Sequence, residues 1–307
     1  MTTAVVVGSG AREHALAWGL RADGVEVTVS PGNAGMAAHG FRCVSTSPVD
    51  LTADLFVIGP EVPLVAGLAD ILRRQGKVVF GPGADGAQLE GSKAFMKKFL
   101  ADANVATAHY GAFDSLDEAL RYVRSMSPPY VIKTDGLAAG KGVLVTNDLE
   151  TALADVREKL SGAAFGVAGT TVIIEEGLSG EECSLMVLCD GERAVPLVAA
   201  QDFKRVGDGD TGANTGGMGA YAPMAHVSAE VVDEVMTTIV QPSIDELRRR
   251  GIDYRGVLYA GVMLTTDGPK LLEYNVRFGD PETEVLTPLY GEDFFSMVLA
   301  AASGQLE

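Results

Sequence analysis

The sequence predicts an α/β protein in two parts, a doubly wound parallel sheet at the N-terminus and an α+β unit after it. Three observations carry this reading. Over residues 1–90 short apolar β runs alternate with segments of helical spacing, the pattern left by a parallel sheet with crossover helices. Each of those runs ends in glycine or proline, at Gly8-Ser9-Gly10, Ser30-Pro31-Gly32, Gly59-Pro60-Glu61 and Gly81-Pro82-Gly83. Such turns leave the carboxyl ends of strands, where open α/β sheets bind ligands. From Tyr110 the pattern changes to a small α+β unit of the size of a lid.

The elements follow in order. Strands are expected at 4–8, 26–30, 55–59 and 77–81, with helices at 12–21, where Ala15, Leu16 and Leu20 share a face, and at 66–75. A helix over 91–103 carries Lys93, Lys97 and Lys98. Next come a helix at 116–126 capped by Asp114 or Ser115, strands at 130–133 and 143–146 around a glycine-rich turn, a helix at 149–160 and a strand at 171–175. A hairpin over 182–200 turns at Asp190-Gly191, and a long glycine-rich loop follows over 201–221. A loop of that length exceeds what a connector needs. One long helix over 228–250, strands at 256–264 and 269–274 and a last helix at 292–302 complete the chain.

Length and charge bound the function. A chain of 307 residues suits about two domains. With 24 Lys+Arg against 41 Asp+Glu the net charge is -17, and no local basic patch is visible, so nucleic acid is not an expected partner. Small anionic ligands remain compatible, because local loops rather than net charge make those sites. Cys43, Cys183 and Cys189 form no C-x-x-C pair and read as reduced thiols of a cytoplasmic protein. The opening MTTAVVVGSG reads as a first strand rather than a signal peptide, and no apolar run is long enough to span a membrane. Glycine is the anomaly. Its 37 residues sit in short runs beside strands, where a backbone can approach phosphate.

Four segments carry candidate chemistry. Gly8-Ser9-Gly10-Ala11-Arg12-Glu13 opens a helix but holds Glu13 where a dinucleotide fingerprint needs its third glycine. It reads as a cradle for one phosphate group or as a plain tight turn. Asp135–Gly142 resembles a Walker A loop one residue short, with Gly142 in place of the Ser or Thr and strands on both sides. A glycine hairpin with Lys141 at its tip can close over a triphosphate, with Lys133 projecting from the strand before; the alternative is an ordinary hairpin with a solvated lysine. The strand ending in Glu175-Glu176 can offer a carboxylate and backbone groups to a purine amine, and Glu182 can accept from ribose hydroxyls; a solvated strand end is the alternative. Alternation places Glu273, Asn275 and Arg277 on one strand face. Carboxylate and amide oxygens two residues apart suit Mg²⁺, and Arg277 beside them can neutralise a phosphoryl group.

The ordered set of Gly8–Ala15, Pro31–Gly35, Gly59–Glu61, Leu89–Lys93, Lys133–Val143, Asn214–Tyr221 and Glu273–Glu282 resembles the phosphoribosylamine–glycine ligase (glycinamide ribonucleotide synthetase) family of ATP-grasp enzymes, over essentially the whole chain. The resemblance implies a pre-ATP-grasp domain over 1–90 and an ATP-grasp domain over 91–307, with a lid subdomain at about 107–175. It implies that ATP phosphorylates glycine and that the nitrogen of 5-phosphoribosylamine attacks the glycyl phosphate. Carried over residue by residue, Lys93, Lys133 and Lys141, with Gly140 in the loop, meet the ATP phosphates. Glu175, Glu176 and Leu178 line the adenine pocket, and Glu182 meets the ribose. Glu273 and Asn275 hold Mg²⁺ or Mn²⁺. Arg277, with Lys141, is the catalytic expectation. Gly10, Asn33, Gly35 and Glu61 contact the phosphoribosylamine, and Asp202, Lys204, Thr215, Gly216, Met218 and Asp280 border the substrates.

Three departures stand out. Gly261 occupies a place where many ATP-grasp enzymes carry another metal carboxylate, and Phe203 replaces a histidine expected between Asp202 and Lys204. The family's C-terminal domain is missing from a chain that ends at Glu307, so a fragment or a shortened relative is expected. The partners expected are small molecules alone, with a monomeric chain and no membrane or nucleic acid. A sister carboxylate–amine ligase with another acceptor, or a nucleotide-binding fragment without turnover, is the alternative reading.

Overall fold

The computed structural model describes residues 2–22, 24–137, 142–162, 171–209 and 211–307. The first sheet is built from β1 (Thr3–Gly8), β2 (Glu26–Pro31), β3 (Arg42–Cys43), β4 (Leu55–Ile58) and β5 (Val79–Phe80). Its order is β3-β2-β1-β4-β5 and every pairing is parallel. The helices α1 (Ala11–Ala22), α2 (Ala34–Ala38), α3 (Glu61–Val65) and α4 (Leu68–Arg74) make the connections. This is the doubly wound sheet that the apolar runs predict. In β1, Val5 and Val7 enter one core while Ala4 and Val6 enter another, so both faces are covered and the run is continuously apolar. The order reverses at β1 and β4, which brings the turns after Gly8 and Gly59 together at a topological switch point.

The expected helix over 91–103 is two elements, α5 (Gln88–Gly91) and α6 (Lys93–Asp102). Ser92 separates them in extended conformation and caps α6, its hydroxyl accepting from Phe95 N–H at 3.1 Å. Next, β6 (Tyr110–Phe113), β7 (Tyr130–Thr134), β8 (Val143–Thr146) and β9 (Val172–Glu176) form an antiparallel sheet in the order β6-β9-β7-β8. Helices α7 (Leu116–Ser125) and α8 (Leu149–Leu160) cover it through Leu120, Val123, Leu153 and Val156, a core of its own.

The rest of the chain surrounds a third sheet. β10 (Glu181–Asp190) and β11 (Ala194–Pro196) form the expected hairpin. The stretch expected as a long loop folds into two short ribbons instead, β12 (Gln201–Asp202) with β15 (Ala220–Tyr221), and β13 (Arg205–Gly207) with β14 (Thr211–Asn214). Their few residues per strand leave no alternation for a sequence pattern to show. The helix expected over 228–250 runs as α9 (Ala229–Val235), a π turn at Met236–Val240 and α10 (Gln241–Arg249). Pro242 lacks an N–H, while Ser243 Oγ and the Tyr274 hydroxyl both donate to the Ile239 carbonyl, so the regular ladder is interrupted there. β16 (Arg255–Thr265) and β17 (Gly268–Asn275) complete the sheet in the order β11-β10-β16-β17, and α11 (Glu282–Tyr290) and α12 (Phe294–Ser303) close the fold. Helix α11 was not expected, because Pro281 and Pro288 mask its periodicity.

The first and third sheets meet closely. Gly81 N–H donates to the Arg255 carbonyl at 3.1 Å. Gly256 has φ +142, and a Cβ there would stand 3.0 Å from Gly81 Cα, so no other residue fits without a shift. Phe278 stacks on Phe80 on one side and tilts against Phe294 on the other. Among the described residues no helix is long and apolar enough to cross a membrane.

Candidate active site

A cavity of about 560 Å³ opens beside the carboxyl ends of the first sheet, with Glu61, Glu90, Lys93, Lys204, Glu273 and Arg277 among its walls. Strand β17 supplies its centre. The pairing with β16 slips between Gly261 and Val262, where Glu273 faces Gly261 but Leu271 already faces Val262. This bulge lies directly before Glu273 and Asn275, a usual place for re-aiming functional side chains. The strand ends at Asn275, so Arg277 lies beyond it rather than on its face, yet all three side chains reach the one cavity. Arg277 Nη2 donates to Asn275 Oδ1 at 3.0 Å.

The charges here are balanced in pairs. Burial alone would raise the Glu273 carboxyl, but Lys133, Lys93, Lys204 and Arg277 hold it below the usual range, so it is anionic at neutral pH. Among the described residues no group of three or more His, Cys, Asp or Glu is placed to hold a metal. An ionised Glu273 with the Asn275 amide oxygen fits a hard cation that takes few protein ligands and fills its shell with phosphate and water. Arg277 is held by Glu90, which accepts from Nη2 at 2.9 Å, and by the Phe278 carbonyl, which accepts from Nη1 at 3.2 Å. Its Nε lies 3.4 Å from Glu61 Oε2 and makes no hydrogen bond. Burial acts to lower its basicity, but Glu90 and Glu61 raise it above the ordinary value, so the guanidinium stays charged.

The lysines divide into two groups. Lys93, at the start of α6, donates to the Gly136 carbonyl at 3.2 Å on the cavity wall. Lys204 bridges Glu182 and Asp202 at 2.9 Å each. Burial opposes its charge, but Glu182, Asp202 and Glu273 outweigh it and push the group up. Lys133 lies behind the cavity, 3.0 Å from Glu175 Oε2, and donates to the Leu272 carbonyl at 3.4 Å. Glu175 is itself buried, with its other oxygen 3.2 Å from Lys97. Glu176 accepts from His109 N–H at 3.0 Å and Leu178 is half-buried, both outside the cavity lining. Gly140 and Lys141 lie outside the described residues.

The N-terminal turns are arranged around a carboxylate. The Glu13 side chain lies against Gly8 and Gly59, where a Cβ would stand 2.4 and 2.1 Å from its nearest atoms, and its Oε2 accepts from Gly10 N–H at 2.7 Å. That backbone donor is therefore engaged within the protein. Gly10 stands beside Asp280, which lines the cavity. Asn33 caps α2 by accepting from Met36 N–H at 2.9 Å and donates to the Ser9 carbonyl at 2.8 Å, while Gly35 is exposed in the first turn. Thr215 and Gly216 line the cavity; Met218 is exposed and does not.

Ten of the residues singled out in the sequence thus share the cavity wall: Glu61, Lys93, Asp202, Lys204, Thr215, Gly216, Glu273, Asn275, Arg277 and Asp280. Sequence reasoning missed Glu90, Lys97 and Glu282. Glu282 is buried, accepting from Ser184 Oγ at 3.0 Å and from the Tyr259 hydroxyl at 2.5 Å. A charged residue flanked by Leu89 and Gly91 was the available signal for Glu90.

Lys97 has a measurable signature. Burial pushes its ammonium down to about 8, against the raising effect of Glu175. Between about 8 and the ordinary 10.5 the unfolded chain holds a proton that the folded chain has released, so this group makes stability rise with pH there. Lys97→Met is expected to remove that rise, read as a difference in the slope of melting temperature against pH between parent and variant. Equal slopes would show that Lys97 keeps its ordinary basicity.

Comparison with known proteins bears on the whole chain. Residues 2–90 match the family model described as phosphoribosylglycinamide synthetase, N domain, and residues 91–283 match phosphoribosylglycinamide synthetase, ATP-grasp (A) domain. The phosphoribosylamine–glycine ligase of Brucella melitensis is 47% identical over 314 residues, covering 99% of this chain and 73% of the relative. That of Escherichia coli is 48% identical over 317 residues, covering 99% and 74%. The crystal structure of phosphoribosylamine–glycine ligase from Thermotoga maritima superimposes with a TM-score of 0.86 at 36% identity, covering 99% of this chain and 76% of that one.

Proposed function

The chain belongs to the phosphoribosylglycinamide synthetase family, and from that membership we propose how its own residues carry out the ATP-dependent ligation of glycine to 5-phosphoribosylamine. A glycine carboxylate oxygen attacks the terminal phosphorus of ATP, the bond to the bridging oxygen breaks, and ADP leaves with glycyl phosphate formed. The amine nitrogen then attacks the acyl carbon, phosphate leaves, and the nitrogen loses a proton to give glycinamide ribonucleotide, a product of purine biosynthesis.

The observation that carries this reading is the gathering of Glu273, Asn275 and Arg277 on one cavity with Lys93 and Lys204. Lys93, Lys133, Lys141 and Gly140 bind the ATP phosphates; Lys133 first has to exchange its Glu175 contact for phosphate. Glu176 and Leu178 border the adenine and Glu182 the ribose. Glu273 and Asn275 would hold Mg²⁺ or Mn²⁺, which would supply charge neutralisation for the phosphate oxygens. Arg277, held charged by Glu90 and Glu61, faces the acyl phosphate, where a preformed cation lowers the barrier most. Asp202, Lys204, Thr215, Gly216, Met218 and Asp280 border the substrates, and Gly10, Asn33, Gly35 and Glu61 face the phosphoribosylamine from the first sheet. The domains divide at residues 90 and 91, with the β6–β9 sheet as the lid. The chain acts on small molecules in the cytoplasm, as a monomer.

The test is phosphate release from ATP. It is expected to require both glycine and 5-phosphoribosylamine and to yield the ribonucleotide. Faster turnover with alanine than with glycine, or with another amine, would overturn the substrate assignment.

A further inference from the structure

We infer that Glu90 is a positioning residue that sets the Arg277 guanidinium for the reaction. The inference rests on the reading of Arg277 as the group facing the acyl phosphate. Glu90 sits in the single turn of α5, where the first sheet hands over to the rest of the chain. Its two oxygens do different things. Oε1 accepts from Arg277 Nη2 at 2.9 Å, and Oε2 accepts from the backbone N–H of Val276 at 2.8 Å. One carboxylate therefore holds both the head of Arg277 and the backbone N–H of the residue before it, so the side chain and the chain leading to it are clamped together.

The clamp fixes how the guanidinium is shared. Nη2 is shared by Glu90 and Asn275, and Nη1 is turned to the Phe278 carbonyl. Nε is buried without a hydrogen bond, its carboxylate partner being Glu61 Oε2 at 3.4 Å. Asn275, a proposed metal holder, shares Nη2 with Glu90, so the same contacts that orient the arginine also orient that amide oxygen. Without Glu90, the guanidinium keeps only Glu61, 3.4 Å from Nε, as a carboxylate partner and is free to shift, and a charge misplaced by about 1 Å costs about 10²-fold in rate. Burial raises the Glu90 carboxyl above its ordinary value, with Arg277 and the Val276 N–H acting against that rise, so the pairing to Arg277 is what favours its charged form.

The experiment is a double-mutant cycle on the full chain with E90Q and R277K, measured as kcat and as KM for ATP and glycine. E90Q keeps the volume and one acceptor but loses the charge. It is expected to lower kcat about 10²-fold with the KM for ATP unchanged. In the R277K background the same change is expected to cost almost nothing, because the planar fork that Glu90 orients is already gone. If E90Q costs the same factor in both backgrounds, Glu90 acts independently of Arg277 and the inference is overturned. If E90Q leaves kcat intact while R277K lowers it, Glu90 is dispensable although the arginine reading stands. If R277K itself leaves kcat intact, the arginine reading fails and the inference with it. Should E90Q unfold, E90D keeps the charge on a shorter stem, and its cycle with R277K is read by the same outcomes.

Discussion

Glu273→Gln is expected to lower kcat by about 10²–10³-fold, with the protein still folded. The side chain ends a strand inside the cavity, and four cationic groups hold its carboxyl ionised. Glutamine keeps the shape and removes the charge, so the site loses the carboxylate proposed to hold the metal, and three lysines and an arginine lose their shared counter-charge. The loss should deepen as Mg²⁺ is made limiting and ease at high concentration, and Mn²⁺ binding followed by electron paramagnetic resonance should weaken in parallel. Unchanged turnover at limiting Mg²⁺ would remove Glu273 from the metal.

The second large effect is on stability. Arg277→Ala is expected to destabilise the fold by about 3 kcal/mol, because it strands Glu90 and Glu61 around an empty centre. Glu90 then keeps the burial that raises its carboxyl and loses the partner that lowers it. With the folded value above the unfolded one, the folded state binds the extra proton in the window between them, so the variant regains stability as the pH falls through that window. Urea unfolding at a series of pH values down to the ordinary carboxylate range reads both effects. A deficit that stays constant as the pH falls would place the cost elsewhere, in packing rather than in a stranded charge.

The first sheet was legible because its strands are covered on both faces. Runs such as Ala4–Gly8 carry no ambiguity once glycine and proline close each one. The π turn was not legible, since Pro242 and the hydroxyls of Ser243 and Tyr274 act together only once the strand bearing Tyr274 packs against the helix. The same holds for the site. Glu273 and Asn275 declare themselves by two-residue spacing, a local property of a strand. Glu90 cannot, because its arginine lies 187 positions away. Glu175 shows the limit most clearly. At a strand end it reads as a ligand-facing carboxylate, and only the fold brings Lys97 from a helix and Lys133 from a neighbouring strand to its two oxygens. Residue type and spacing announce what a side chain can bind; which partner has already taken it is decided by long-range packing.

The glycine contact between Gly81 and Gly256 has a mechanical meaning. Two backbones that touch with no side chain between them, and share a hydrogen bond from Gly81 to Arg255, leave no compressible layer to slide on. With Phe80, Phe278 and Phe294 packed alongside, the first and third sheets form one chassis. The β6–β9 sheet has its own separate core and is joined to that chassis by the segments around Thr107 and Gly177, with Leu271 N–H bonded to the Ala106 carbonyl on the fixed side. The turns proposed to bind the amine and the strand bearing Glu273 are therefore expected to keep a constant spacing, and in that reading any opening for nucleotide exchange falls to the remaining sheet.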